Sequence, residues 1–319
     1  MYSDVQVIKI DNKMKFTWER MGRIIAPNNK VEWMSTWVGA SFARQIGNSS
    51  KFEIFITGRD NQNRSRVGKV FFDIEKLTVE GIGNLVFDLG DLGAFDENGV
   101  SYPWLYPFKN NWYMLYVGWK PTVLTPFQNG LGLAVEQEDG FFKRISRAPI
   151  LPFDNDDYLS IGSSSVYIDE DVIRLYYTSF LRWGKGPDEA KHYYVIKYAE
   201  SKDGINWTRN NHICINSIYG MGDFSICRPS VIKLGDTYHM WFSYRGENYS
   251  LGYAYSKDGV NWTRDDSLSG ICKPATGWDS EMQCYCQVFQ YGPDYYMIYC
   301  GNKYGKDGLG IAKLKIEQS

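Results

Sequence analysis

A single pattern, repeated five times, constrains this chain more than anything else in it. An aromatic-rich strand recurs at intervals of about 60 residues as EIFITGRD (53–60), WYMLYVGW (112–119), RLYYTSFL (174–181), HMWFSYRG (239–246) and YMIYCGNK (296–303). Each copy follows a short strand and a turn, as in RPSVIKLGDTYHMW and CQVFQYGPDYYMIY, where Gly-Asp and Gly-Pro-Asp supply the backbone freedom of a hairpin. Each copy is followed by a small-residue strand such as GLGLAVE, YSLGYAYS or GLGIAKLKI. In two copies that strand runs through SKDGINWTR (201–209) and SKDGVNWTR (256–264) into a fourth strand. Five copies of a four-stranded antiparallel unit predict an all-β chain, a five-bladed β-propeller forming one domain over 1–319. The fifth copy ends without room for its last strand, and KFTWERMGRII (15–25) has the character of the missing one. The N-terminal strand is therefore expected to close the last blade as its outer strand and to remove an exposed edge.

Composition narrows the partners. Lys and Arg number 35 against 37 Asp and Glu, so no field of one sign marks the chain as a binder of nucleic acid or membrane surface. No stretch reaches the roughly 18 apolar residues of a membrane span, and the N-terminus lacks the apolar core of a secretory leader, which together predict a cytoplasmic protein. The six cysteines lie in the C-terminal third without CxxC spacing, which predicts reduced thiols rather than a zinc site or a disulfide framework. No metal and no cofactor is called for.

Blade order sorts the charged residues by face. The turns from first to second strand and from third to fourth share one face, so the KLGD and SKDG motifs are expected to be turn chemistry. The loops from second to third strand share the other face with the entries to the first strands. These loops carry Arg59, Arg64, Arg182, Lys185, Arg245, Glu247 and Lys303, and the entries bring Asp223, Arg228, Asp279, Glu281 and Tyr285. Asp60 ends the first aromatic strand. Carboxylates among cations and aromatic walls are the material of a general acid and base, and a guanidinium suits a ligand carboxylate or phosphate.

With those segments in view, the chain resembles the five-bladed propeller glycosidases of families 32, 43 and 68, with family 130 as a further relative. The resemblance rests on the aromatic strands, the SKDGxNW turns and WDSEMQCYCQVFQYGPDYYMIYCGNKYGKDGLGIA. It implies a glycosidase-like enzyme acting at the axial funnel on a small anionic sugar, glycoside or sugar nucleotide, in surface-polysaccharide metabolism. Glu281 is the expected proton donor and Asp60 or Asp223 the base, with Asp279 a further member of an inverting pair. Arg59, Arg64, Arg228, Arg245, Glu247 and Lys303 are expected to hold the ligand's polar groups, and Trp33, Trp37, Trp104, Trp119 and Tyr285 to offer stacking faces. Family 32 places an Asp where WMSTWVGA carries Ser35, Thr36 and Trp37. Two alternatives follow from that difference: a carbohydrate-binding propeller without catalysis, and a phosphorolytic enzyme with one acid.

Overall fold

The computed structural model describes residues 14–169, 172–184, 192–217 and 223–318. Lys185 and the first thirteen residues, examined above for a leader, lie outside the described residues. The described chain is built from strands, beginning with β1 (Met14–Ile25). Four meanders follow in sequence. The first comprises β2 (Trp37–Gln45), β3 (Lys51–Arg59), β4 (Ser65–Asp73) and β5 (Thr78–Phe87). The second comprises β6 (Gly99–Phe108), β7 (Asn111–Lys120), β8 (Gln128–Glu136) and β9 (Phe142–Arg144). The third comprises β10 (Ile161–Ile168), β11 (Ile173–Trp183), β12 (His192–Ser201) and β13 (Thr208–Ile215). The fourth comprises β14 (Ser225–Leu234), β15 (Thr237–Arg245), β16 (Tyr249–Ser256) and β17 (Thr263–Arg264).

The last meander has only β18 (Cys284–Tyr291), β19 (Asp294–Cys300) and β20 (Leu309–Gln318) from its own stretch of chain. β1 completes it, running antiparallel to β20 from Met14 opposite Gln318 to Ile25 opposite Leu309. The pairing joins the two ends of the described chain through ten paired positions, and it covers the edge that β20 would otherwise present.

The first strands of the meanders touch in the order β2, β6, β10, β14, β18 and back to β2. Single parallel bridges, Ser65 with Gly99 and Tyr194 with Ser225, tie neighbouring meanders together near their inner ends. Apolar packing sits in the seams between meanders. Fully buried Trp241 meets Trp18 edge-on at 5.3 Å between the fourth and fifth, and Trp104 meets Phe42 at 5.3 Å between the second and first. Removing such side chains from water stabilises the fold by about 1.5–3 kcal/mol each.

The SKDG turns are part of the same seams. Asp203 and Asp258 each accept the two backbone N–H groups that follow them in the turn. Tyr176 of the third meander then donates to the Gly259 carbonyl of the fourth at 2.7 Å, and Tyr106 of the second donates to the Gly204 carbonyl of the third at 2.5 Å. The turn motif therefore knits one meander to the next.

Every first strand carries a bulge about three residues in, between Gly39 and Ser41, Ser101 and Trp104, Ile161 and Ser164, Cys227 and Ser230, and Cys284 and Gln287. Tyr102, Arg228 and Tyr285 sit at three of these bulges with φ of 54°, 48° and 56°. Left-handed backbone is unfavourable for such residues, so three of them at equivalent bulges mark the centre of the contact ring as a place where side-chain direction outweighs local strain.

Candidate functional site

The inner ends of the meanders enclose a cavity of about 710 Å³, a volume within the usual range for a small-molecule site. Its walls come from all five meanders and, among the described residues, from the loops after the second strands of the first, second and fifth; neither SKDG turn contributes. Four tyrosines, Tyr102, Tyr194, Tyr249 and Tyr285, form the floor. Tyr285 lies 5.1 Å from Tyr102 and 5.4 Å from Tyr249, and the hydroxyls of Tyr194 and Tyr249 are hydrogen-bonded to each other.

Arg59 leaves the end of β3 with its guanidinium between two indoles, 4.8 Å from Trp37 and 5.4 Å from Trp119. Its Nη1 donates to Asn63 at 2.7 Å, while its buried Nε has no hydrogen-bond partner. Burial lowers the Arg59 pKa, although the group stays charged at neutral pH. Arg245 leaves the end of β15 over the rings of Phe224, Tyr249 and Tyr304, at 5.6–5.8 Å, and its buried Nε is also without a partner. Lys303 and Lys306 complete the cationic lining. Among the described residues, none of these four cations is ion-paired with a carboxylate.

Asp60 is the one carboxylate among the described lining residues. It accepts the backbone N–H groups of Gln62 and Arg64 at 2.8 and 2.9 Å, Arg64 Nε at 2.9 Å and Arg66 Nη1 at 2.6 Å. Burial alone would raise its pKa; the hydrogen bonds from Arg64, Arg66 and Gln62 outweigh this and bring it down to about 2. Asp60 is thus ionised and saturated, and has no proton to give at neutral pH.

The other carboxylates expected in the funnel are occupied elsewhere. Asp279 is fully buried and held by Arg20 of β1 at 3.0 Å, by Tyr299 at 2.8 Å and by Gln283 at 3.1 Å. Asp223 is buried against Arg264 of β17 at 2.6 Å. Two further entry aspartates complete the set: Asp96 with Arg144 of β9 at 2.7 Å, and Asp157 with Arg209 of β13 at 3.0 Å. Each meander from the second to the fifth therefore pins its fourth strand to its entry through one Asp–Arg pair. In three of them a second-strand tyrosine, Tyr116, Tyr177 or Tyr299, adds a hydrogen bond. Glu281 is exposed and does not line the cavity; its backbone N–H donates to Asn302 Oδ1 at 2.8 Å, and its carboxyl has no partner among the described residues.

The ligand-holding candidates divide in the same way. Arg59, Arg245, Lys303, Tyr285, Trp37 and Trp119 meet at the cavity. Arg64 is spent on Asp60, and Glu247 is exposed outside the lining. Trp33 is buried over Gly58 and Gly68, where a Cβ at Gly68 would come within 2.4 Å of its ring, so it fills the first meander rather than offering a free face. Trp104 is buried at a seam and donates to the Val166 carbonyl. Arg228 is fully buried beneath the floor, donating to the carbonyls of Ser41, Tyr102 and Pro103 at 2.8–3.2 Å. Burial pushes its pKa down to about 10, and its side chain clasps two inner strands, β2 and β6, and does not line the cavity.

The fold is shared with solved structures whose names describe glycoside hydrolases. A solved structure named "Glycoside hydrolase" superposes with a TM-score of 0.71 at 20% identity, covering 94% of this chain and 92% of that one. A structure described as "The GH130 family of mannoside phosphorylases contains glycoside hydrolases that target beta-1,2 mannosidic linkages in Candida mannan" superposes with a TM-score of 0.71 at 14% identity, covering 94% of each chain. No family model matches the sequence. The chain belongs to the same family as "Uncharacterized protein Rv1502" of Mycobacterium tuberculosis strain H37Rv, with 33% identity over 306 residues, 93% of this chain and 99% of that protein. The same identity and coverage hold for "Uncharacterized protein MT1551" of strain CDC 1551.

Proposed function

We propose that the chain is a single five-bladed propeller whose axial cavity binds an anionic carbohydrate, and that it does so without a hydrolytic carboxylate pair. The observation carrying this reading is the pair of guanidiniums, Arg59 and Arg245, clamped by aromatic rings and without carboxylate partners among the described residues, in a cavity whose one carboxylate among those residues is already saturated. A half-buried cation with its Nε withdrawn from water gains from a counter-ion, and a ligand phosphate or carboxylate supplies that charge through charge-assisted hydrogen bonds. Trp37, Trp119 and the tyrosine floor suit a sugar ring, which buries its C–H face on aromatics while its hydroxyls reach polar edges.

Two-carboxylate glycoside cleavage needs an acid and a second carboxylate flanking one bond. Asp60 alone among the described lining residues is of that type, and it is held ionised. A second reading, transfer of a glycosyl group to or from inorganic phosphate, is favoured by the same cations, since phosphate would then be the nucleophile.

Calorimetric titration with paired sugars, glucose 1-phosphate against glucose and glucuronate against glucose, tests the reading. The anionic member of each pair should bind and the neutral member should not, with no release of sugar from aryl glycosides. Phosphate-dependent release of a sugar phosphate would favour the second reading. Equal binding of charged and neutral members, or glycoside cleavage that Glu281→Gln abolishes, would overturn both.

A further inference from the structure

The cavity wall is polarised. In the contact order of the first strands, the fourth, fifth and first meanders are consecutive, and they carry Arg245, Lys303 and Arg59 respectively. The second and third meanders make the opposite wall, and among the described residues no Lys, Arg, Asp or Glu of theirs lines it. That wall presents Phe127 and Phe180: Phe127 stands edge-on to Phe180 at 6.1 Å, and Phe180 lies 4.7 Å from Tyr194 of the floor. Phe127 is half-buried, so part of its ring is open to the cavity. Asn129 lines the same side, and its side-chain amide has no partner among the described residues.

A simple anionic sugar would use the cationic wall and leave the aromatic one bare. The two guanidiniums stand on meanders separated by a third, each with its own aromatic clamp, an arrangement suited to an anion with more than one charged group. A cavity of about 710 Å³ has room for more than a monosaccharide. A planar, hydrogen-bonding group fits the aromatic wall with its amide, since every nucleobase has a π-face to stack.

We propose that the cavity takes a nucleoside diphosphate sugar, its diphosphate on the Arg245, Lys303 and Arg59 wall and its base against Phe127 beside Asn129. This rests on the anionic-carbohydrate reading above and names its ligand class. The apolar wall would also accept a lipid diphosphate, and the experiment separates the two.

Calorimetry on the full chain would compare UDP, ADP, inorganic pyrophosphate, glucose 1-phosphate and geranyl diphosphate, for the wild type, Phe127→Ala and Arg245→Met. The better of UDP and ADP should bind at least tenfold more tightly than pyrophosphate. Phe127→Ala should weaken that nucleotide roughly tenfold while leaving pyrophosphate unchanged, since stacking on one ring is worth about that factor. Arg245→Met should weaken nucleotide and pyrophosphate together. The ratio of two ligands on the same folded variant keeps the result readable even if Phe127→Ala lowers stability. Equal affinity for nucleotide and pyrophosphate, equal weakening of both by Phe127→Ala, or tighter binding of geranyl diphosphate would overturn the nucleotide assignment while leaving the anionic-carbohydrate reading intact. If neither pyrophosphate nor glucose 1-phosphate binds, both readings fail.

Discussion

The arginines at the outer strands and those at the cavity live under opposite rules. Arg20, Arg144, Arg209 and Arg264 each meet a buried aspartate of their own meander at 2.6–3.0 Å. Arg59 and Arg245, half-buried in aromatic surroundings, meet none among the described residues. A buried ion pair broken by removal of one partner costs several kcal/mol, so the outer arginines report what holds each meander together. An unpaired guanidinium contributes nothing comparable to stability, and its retention at a cavity points to a partner supplied from outside.

This contrast can be broken most severely at the outer pairs. Asp279→Ala should destabilise the protein by about 3–5 kcal/mol in chemical denaturation, because it strands Arg20, Tyr299 and Gln283 and loosens β1 from its meander. If the loss is below 1 kcal/mol, the pinning role is wrong. Arg245→Met and Arg59→Met should do the reverse: stability within about 1 kcal/mol of wild type or above it, with affinity for glucose 1-phosphate down roughly tenfold to a hundredfold.

A smaller effect is expected from acid. The folded pKa of Asp60 lies near 2, below the usual carboxylate value of 3.8, so its contribution to stability is full above pH 4 and is lost as pH falls toward 2. The stability difference between wild type and Asp60→Asn should therefore be flat from pH 7 to about pH 4 and shrink below it. A difference that already shrinks between pH 7 and 5 would contradict the saturated state of Asp60. The smallest change is expected for Glu281→Gln, an exposed residue outside the cavity, with stability within about 0.5 kcal/mol and unchanged ligand affinity.

Much of this architecture was legible in the sequence because repetition carries it. The five aromatic strands, the small-residue third strands and the replacement of a missing strand by residues 15–25 are all periodic features, and strand pairing follows the period. The site was legible only in part. Arg59, Arg245, Lys303, Tyr285, Trp37 and Trp119 were reached by asking which loops share a face. Asp223 and Asp279 were drawn to the same place because sequence order puts them at the inner-strand entries, yet it does not say which way a side chain turns there.

The signal that separates them was present. Entry aspartates recur at Asp96, Asp157, Asp223 and Asp279, and an arginine recurs in the fourth strand of each of those four meanders, twice inside NWTR. Two charges of opposite sign repeating once per unit are partners in the scaffold. Arg228 was misplaced for a different reason: the left-handed backbone at its bulge, φ 48°, sends its side chain under the floor, and nothing in the residue order announces that conformation. Phe127, Asn129 and Tyr194 escaped notice because apolar and neutral residues in an irregular loop or strand end look like packing until a cavity is seen beside them.

The central claim is that the cavity's guanidiniums are held for an anion that the protein does not itself provide. Thermal unfolding in increasing inorganic pyrophosphate, at constant ionic strength, reads it directly, because a ligand that binds only the folded state raises Tm with its concentration. The wild type should rise steadily and the Arg59→Met, Arg245→Met double variant should stay flat. Parallel rises in both proteins, or a flat wild type, would contradict the account.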